Sequence, residues 1–294
     1  MVAVEYRGDA RIDQSRVRYG GGGGRSGGRG MAVGGGLGGI VMIVLVLLFG
    51  GNLGDVLGGT GMPDTQPQQT QPAPECDEGS DIETNRDCRW PAYENAVQNY
   101  WSSVMQGYEY GSMMLFSGQV QTACGTGSSE MGPFYCPGDY TVYIDTDFMG
   151  TLLDQLGAVG GDAAELYIVG HEFGHHVSNL TGQMEQARAG GQDTGPTSNQ
   201  VRLELQADCY AGVFFNNTLK DPESPIESVT RDDLLRIADA ARAVGDDHIQ
   251  QQQGGRVVPE SWTHGSSEQR QRWVAKGYDS GDPNACDTFA TNDL

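Results

Sequence analysis

The sequence predicts an α+β fold that is mostly helical, with a small sheet and with one transmembrane helix ahead of it. Three observations support this prediction. Apolar residues recur at helical spacing in several long segments beyond residue 89. In one short segment, residues 140–145, the side chains instead alternate in the pattern of a β-strand. Residues 31–49 contain no charged side chain, and at about 1.5 Å of rise per residue they can span a bilayer core.

Residues 1–30 form a predicted arginine- and glycine-rich arm. This arm holds six arginines and three acids, so its net charge is +3. Because the whole chain has a net charge of −21, the remainder carries −24. Its composition predicts disorder, and the positive-inside rule predicts a cytoplasmic location. The acidic remainder argues against a nucleic-acid partner.

Residues 31–50 are predicted to be a membrane anchor, with an unbroken apolar run at 40–49. The alternative is a cleaved secretory signal, but residues 50–55 contain no A-x-A-like cleavage site. We therefore predict an uncleaved single-pass anchor in the cell membrane. Residues 51–75 are predicted to be a flexible linker of Gly, Thr, Gln and Pro, and residues 76–294 a single extracytoplasmic domain.

Four further segments provide the predicted scaffold of this domain. A helix carries a core-facing stripe at Trp90, Tyr93, Val97, Tyr100, Trp101, Val104 and Met105. Residues 140–145 alternate as a strand, which we expect at the edge of a sheet. Thr230 can cap a helix that runs to Val244, and Ser266 can cap another that runs to Val274.

His171 and His175 stand four residues apart in a helical segment, with Glu172 directly after the first histidine. On a helix this spacing places both imidazoles on one face, where both can bind one Zn²⁺. Glu172 is then placed to act as a general base on a water molecule rather than as a ligand. The alternative is a buried helix whose histidines are satisfied by ordinary hydrogen bonds.

The helix around this motif is predicted to continue to a stop at Gly182, because no proline interrupts residues 161–182. Gly170 and Gly174 lie inside it, where each costs up to about 1 kcal/mol relative to alanine. We therefore expect a neighbouring element to approach the helix closely at these positions.

A catalytic zinc site needs a third protein ligand and one open position. Thr197 and Ser198 can cap a second helix that carries Glu204 and Asp208 on one face. Because a buried carboxylate needs a partner, Glu204 is the predicted third ligand. Asp208 can accept the free ring N–H of a histidine ligand. The alternative is a solvated acidic face with no metal.

All six cysteines lie beyond the predicted anchor, and their even number fits three disulfides in an oxidising compartment. Fifteen pairings exist. A metal-ligand or reactive-thiol role for Cys209 is disfavoured, since it lies on a different helix face from Glu204.

Several separate segments, in order, resemble the bacterial putative neutral zinc metallopeptidase family. They are A-C-G at 123–125, G-P-F-Y-C-P at 132–137, Y-I-D at 143–145, H-E-F-G-H-H at 171–176, E-L-Q-A-D at 204–208, T-H-G-S-S-E-Q-R at 263–270 and G-D-P-N-A-C-D-T-F at 281–289. The resemblance covers roughly residues 75–290 and does not reach the glycine-rich N-terminal region. It implies a zincin-like fold of the gluzincin type, with an edge strand that pairs with extended peptide.

The resemblance implies one Zn²⁺ bound by His171, His175 and Glu204, with Glu172 as the base. Together with proximity along the chain, it also favours three disulfides, Cys76 with Cys88, Cys124 with Cys136, and Cys209 with Cys286.

His264 lies at the entry of a predicted helix, where its imidazole could donate a hydrogen bond to the oxyanion of a tetrahedral intermediate. The alternative is that it caps or packs the loop. His176 lies about 100° round the helix from His175 and points away from the metal, and His248 has no predicted role.

Taken together, these residues predict zinc-dependent hydrolysis of peptide bonds in a protein or peptide substrate. The alternative is a membrane-anchored binding or assembly protein whose zinc site is structural. A structural site does not require Glu172, which favours the enzyme. The sequence does not indicate the oligomeric state.

Overall fold

Two long helices pack against each other at the centre of the computed structural model, which describes residues 4–20, 73–191 and 193–294. The helices of these ranges are α1 Asp81–Thr84, α2 Arg89–Val104, α3 Thr146–Gln155, α4 Asp162–Leu180, α5 Gln183–Ala189, α6 Asn199–Asn217, α7 Arg231–Ala243, α8 Asp246–Gln252 and α9 Ser267–Ser280. The central pair is α4 and α6. No helix in these ranges is long and apolar enough to cross a bilayer, and the anchor predicted at 31–50 lies outside them.

Eight short strands accompany these helices in the described ranges. They are β1 Glu5–Tyr6, β2 Val17–Tyr19, β3 Ser112–Phe116, β4 Gln119–Thr122, β5 Gly125–Ser128, β6 Phe134–Cys136, β7 Thr141–Asp145 and β8 Ile226–Ser228. The largest sheet has the order β2-β3-β7-β6, with β6 antiparallel to β7 and the other neighbours parallel. The fold is therefore α+β with small sheets, as predicted.

Hydroxyl side chains begin three of the helices at the predicted residues. Ser198 accepts a hydrogen bond from the backbone N–H of Val201 at the start of α6. Thr230 and Ser266 form capping boxes at the starts of α7 and α9. The helix of the histidine motif, α4, ends at Leu180, two residues before the predicted stop, Gly182.

The prediction that residues 140–145 form an edge strand is wrong in its position. This segment forms β7, which pairs with β3 on one side and with β6 on the other. Alternation indicates a strand, but it does not reveal how many neighbours the strand has. In the described residues the edge strands of this sheet are β2 and β6, and β6 lies beside the central helix α4.

The prediction of a disordered N-terminal arm is wrong for residues 4–20, whereas residues 21–30 lie outside the described ranges. Here β1 pairs antiparallel with β8, and β2 pairs in parallel with β3. Strands of two or three residues have no detectable periodicity, and their partners are distant in the chain.

Three disulfides join the cysteine pairs that were favoured by proximity and resemblance. They are Cys76–Cys88, Cys124–Cys136 and Cys209–Cys286. The third ties the C-terminal segment to α6, the helix that carries Glu204. Since Cys209 is bonded to Cys286, it is neither a metal ligand nor a free thiol.

Candidate metal centre

His171 and His175 lie on one face of α4 with their rings nearly perpendicular and their Nε2 atoms 3.1 Å apart. Both side chains are buried. The helical spacing of four residues therefore brings the two nitrogens together as predicted. Because both Nε2 atoms face one point, the arrangement favours a shared ligand over histidines that are each satisfied by a separate partner.

Glu204 reaches the same point from α6. Its Oε2 lies 3.2 Å from Nε2 of His171, and its Oε1 lies 3.4 Å from Nε2 of His175. The residue is 3% exposed, so the alternative of a solvated acidic face is wrong. Burial raises the pKa of a carboxyl, but His175 and His264 outweigh it and hold the pKa of Glu204 well below its usual range.

These three side chains fit a divalent zinc ion. One ligand atom from each lies within 4.8 Å of the others, and two imidazoles with one carboxylate form a common donor set of catalytic zinc sites. Nδ1 of His171 lies 2.8 Å from Oδ1 of Asp208, to which it donates a hydrogen bond. In the neutral tautomer that keeps this hydrogen bond, Nε2 of His171 has a free electron pair that can bind a metal.

Two glycines of α4 allow α6 to approach. A Cβ at Gly174 would lie 2.9 Å from both Cα and the carbonyl oxygen of Ala207, and a Cβ at Gly170 would lie 3.4 Å from Cβ of Ala211. The expected reason for these glycines, close approach of a neighbouring element, is therefore confirmed. The small residues bring Glu204 within reach of the histidines.

We expect Gly174→Ala to destabilise the protein by about 1–3 kcal/mol, because the methyl group would push α6 away from α4. Zinc affinity should fall as well, since the carboxylate and the imidazoles stand on opposite sides of that contact. Urea unfolding and a zinc competition titration measure the two effects.

Gly150→Ala is the matched control, because a Cβ at this helical position meets no atom within 4 Å. That change should stabilise the protein by roughly 0.5–1 kcal/mol. Equal effects of the two substitutions would show that the contact between α4 and α6 is unimportant.

Asp208 lies behind His171 in a buried network, as predicted for the residue that orients a histidine ligand. Arg270 of α9 donates from Nε to Oδ2 and from Nη2 to Oδ1, both over 2.8 Å. The hydroxyl of Tyr167 donates a hydrogen bond to Oδ1 over 2.6 Å. Burial raises the pKa of Asp208, but Arg270 outweighs burial and lowers the pKa to about 2.

Sequence reasoning missed Arg270 and Tyr167. Arg270 belongs to the segment T-H-G-S-S-E-Q-R, whose resemblance to the family was noted without a role for the arginine. The signal was available, since Arg270 lies on the same helix face as Trp273 and Val274, and an arginine on the buried face of a helix needs a carboxylate partner.

A cavity of about 110 Å³ opens onto the three ligands. Glu172, His264 and Arg270 also line it, and the apolar part of the wall is formed by Met131, Phe134, Leu152, Leu156, Ile168, Val244 and Ile249. Burial raises the pKa of Glu172, which suits a carboxylate that must accept a proton. Glu172 therefore faces the same space as the ligands, at the position predicted for a base.

His264 reaches the cavity from the loop before α9, and Asp246 holds that loop. One oxygen of Asp246, Oδ2, accepts hydrogen bonds from the backbone N–H groups of Thr263, His264 and Gly265 over 2.7, 2.7 and 3.0 Å. The other, Oδ1, lies 3.4 Å from Nδ1 of His264. Burial lowers the pKa of His264, but Glu204 and Asp246 outweigh it and raise the pKa. Sequence reasoning missed Asp246.

His176 points away from the ligands, as predicted. Its Nδ1 lies 2.9 Å from the hydroxyl of Tyr135 on β6, and its Nε2 donates to the carbonyl of Glu109 over 2.7 Å. His248 lies outside the ligand cluster, where its Nε2 donates to the carbonyl of Leu156. Two of the five histidines therefore take no part in the candidate metal centre.

Comparisons with known proteins agree with this site. The chain is 49% identical to an uncharacterized protein of Mycobacterium tuberculosis over 225 residues, which are 75% of this chain and 76% of that protein. It is 38% identical to the uncharacterized protein YpfJ of Escherichia coli over 292 residues, which are 97% of this chain and 99% of that protein. No solved structure matches the chain.

One family model matches residues 3–289, and its description is "putative neutral zinc metallopeptidase". The resemblance seen in separate segments is therefore confirmed. The expected lower limit near residue 75 is wrong, because the match includes the N-terminal arm. The chain belongs to the putative neutral zinc metallopeptidase family.

Proposed function

We propose that this protein is a zinc-dependent peptidase of zincin-like architecture that hydrolyses peptide bonds. The main support for this proposal is one structural observation. His171, His175 and Glu204 converge at the wall of a cavity that Glu172 and His264 also line. A purely structural zinc site has no need of a cavity or of a further carboxylate within it.

Each residue has a separate role in the proposed reaction. When bound, the zinc ion supplies positive charge that polarises the scissile carbonyl and lowers the pKa of a water molecule. Glu172 takes a proton from the attacking water and passes it to the leaving amine. His264 donates a hydrogen bond to the oxygen that becomes negative, and Asp208 keeps His171 in the tautomer that leaves Nε2 free.

The edge strand β6 is the proposed binding place for the substrate backbone. Phe134 and Tyr135 of this strand line the cavity, and within the described sheet β6 has one neighbour, β7. An extended peptide can add to such an edge through backbone hydrogen bonds, which places its carbonyl groups along the cavity. The apolar wall would then contact the substrate side chains beside the scissile bond.

We also propose that the domain works outside the cytoplasm. Three disulfides in the described residues support this location, because such bonds persist in oxidising compartments. Attachment to the membrane through residues 31–50 remains a prediction from the sequence.

The test of the function uses the purified full chain and a library of quenched fluorescent peptides. We expect cleavage that stops when a zinc chelator is added and returns when zinc is restored. Cleavage that continues after complete removal of the metal would contradict a zinc mechanism. Absence of cleavage by the zinc-loaded chain across the library would contradict the peptidase proposal.

We expect His264→Leu to lower kcat by about 10²–10³-fold with zinc still bound, because the oxyanion loses a hydrogen-bond donor. KM should change little if the donor acts mainly in the transition state. His248→Leu is the control, since that residue lies outside the ligand cluster and should leave kcat unchanged. An unchanged kcat in His264→Leu would restrict His264 to packing the loop.

A further inference from the structure

Residues 4–20, called here the N-terminal strap, are built into the domain along their whole length. Val4, Ala10, Ile12 and Val17 are buried at intervals along the strap. The strap adds β1 to β8 and then β2 to the outer edge of β3. It therefore contacts two parts of the fold that lie far apart in the sequence.

The centre of the strap neutralises a buried charge. Glu94 of α2 is 0% exposed, and its Oε1 accepts a hydrogen bond from Nε of Arg16 over 2.7 Å. Among the described residues, Arg16 is the cation that pairs with Glu94. Burial raises the pKa of Glu94, and Arg16 opposes this effect most strongly, followed by hydrogen bonds from Asn95 and Gln98.

The neighbouring residue Asn95 fixes the backbone of the strap. Its Oδ1 accepts a hydrogen bond from the N–H of Asp13, and its Nδ2 donates to the carbonyl of Asp13 over 2.8 Å. The guanidinium of Arg16 also lies over the ring of Tyr110 at 4.6 Å. Two adjacent buried polar residues of α2 thus have their partners in the strap.

The start of the strap contacts the helix of the metal ligands. Tyr6 donates a hydrogen bond to Oδ2 of Asp162 over 2.9 Å, and Asp162 is the first residue of α4. Arg86 pairs with the other oxygen of Asp162. The strap therefore helps to hold the N-terminus of the helix that positions His171 and His175.

We infer that the strap is an integral part of the metallopeptidase domain and shares its compartment. If the strap lay across a membrane from the domain, Glu94 would lose Arg16 as its cation, and β3 would lose one of its two neighbours. Gly20 and Ala73 consequently lie on the same side of any membrane. This placement of the strap is incompatible with the single crossing that the sequence predicts at residues 31–50.

A double-mutant cycle on the full chain tests whether the strap is docked. Arg16→Met should lower Tm by roughly 5–15 °C, because it leaves a buried carboxylate unpaired. Adding Glu94→Gln should recover part of that loss, since the charge is then removed. Arg18→Met, at an exposed position of the adjoining strand β2, should leave Tm unchanged. An Arg16→Met variant with unchanged Tm, or additive effects of the two changes, would overturn the inference.

Cysteine labelling of the full chain in spheroplasts tests the shared compartment without any need for peptidase activity. Asp9→Cys marks an exposed position of the strap, and Leu235→Cys marks the domain at a residue that is 58% exposed. A membrane-impermeant maleimide should label both variants before lysis, or label both only after lysis. Labelling of one variant before lysis and of the other only after lysis would overturn the inference. Both readouts can succeed or fail independently of the proposed hydrolysis.

Discussion

Replacing Glu172 with glutamine should lower kcat/KM for peptide hydrolysis by about 10²–10⁴-fold, the range that a general base contributes. Glutamine has nearly the shape of glutamate, but it cannot take a proton from water. The structure assigns His171, His175 and Glu204 to the metal cluster and Glu172 to the cavity, so the variant should still bind one zinc per chain. Steady-state kinetics and elemental analysis of the same sample measure both quantities.

Glu185→Gln is the matched control, because it makes the same chemical change at an exposed position of α5. It should keep full activity and full zinc content. Loss of both zinc and activity in Glu172→Gln would make this residue a ligand rather than a base. Full hydrolytic activity in Glu172→Gln would contradict the role of Glu172 as the base, whereas unchanged cellular function of a Glu172→Gln protein that has lost hydrolysis would favour the structural-site alternative.

Replacing Asp208 with asparagine should destabilise the protein by about 3–5 kcal/mol in the presence of chelator. The change leaves Arg270, which is 3% exposed, without its buried counter-charge. Zinc affinity should fall by about 10–100-fold, because the tautomer and orientation of His171 depend on Asp208. Urea unfolding of the metal-free protein and a zinc competition titration separate the two effects.

The control for this change is Asp279→Asn, at an exposed position of α9. It should leave the free energy of unfolding and the zinc affinity within experimental error. If Asp208→Asn lowered stability but left zinc affinity unchanged, Asp208 would be part of the scaffold and would not orient the ligand.

Local patterns were sufficient to predict the helices of the metal centre. The spacing of His171 and His175 depends on helix geometry alone, and the helix depends on the apolar residues around them. Ser198, Thr230 and Ser266 could be identified as caps because a cap acts within three residues of its own position. Each of these predictions involves a distance that is set within one element.

Contacts between distant segments were not predictable in the same way. The strap forms strands of two and three residues, whose stability comes from partners in β3 and β8. The pairing of β7 with both β3 and β6 likewise depends on how distant segments pack in the folded chain. Asp246 supports His264 through backbone N–H groups of a loop, and no sequence spacing indicates such an arrangement.

The sequence by itself determined the candidate zinc ligands, since the H-E-x-x-H spacing and the acidic pair Glu204 and Asp208 give the ligand types and their helix faces. Only the tertiary structure decided that Arg270 and Tyr167 complete the network behind His171, and that the strap is part of the domain. The physical reason is that ligand types and faces follow from helix periodicity. A buried charge, by contrast, is satisfied by whichever group the folded chain brings to it.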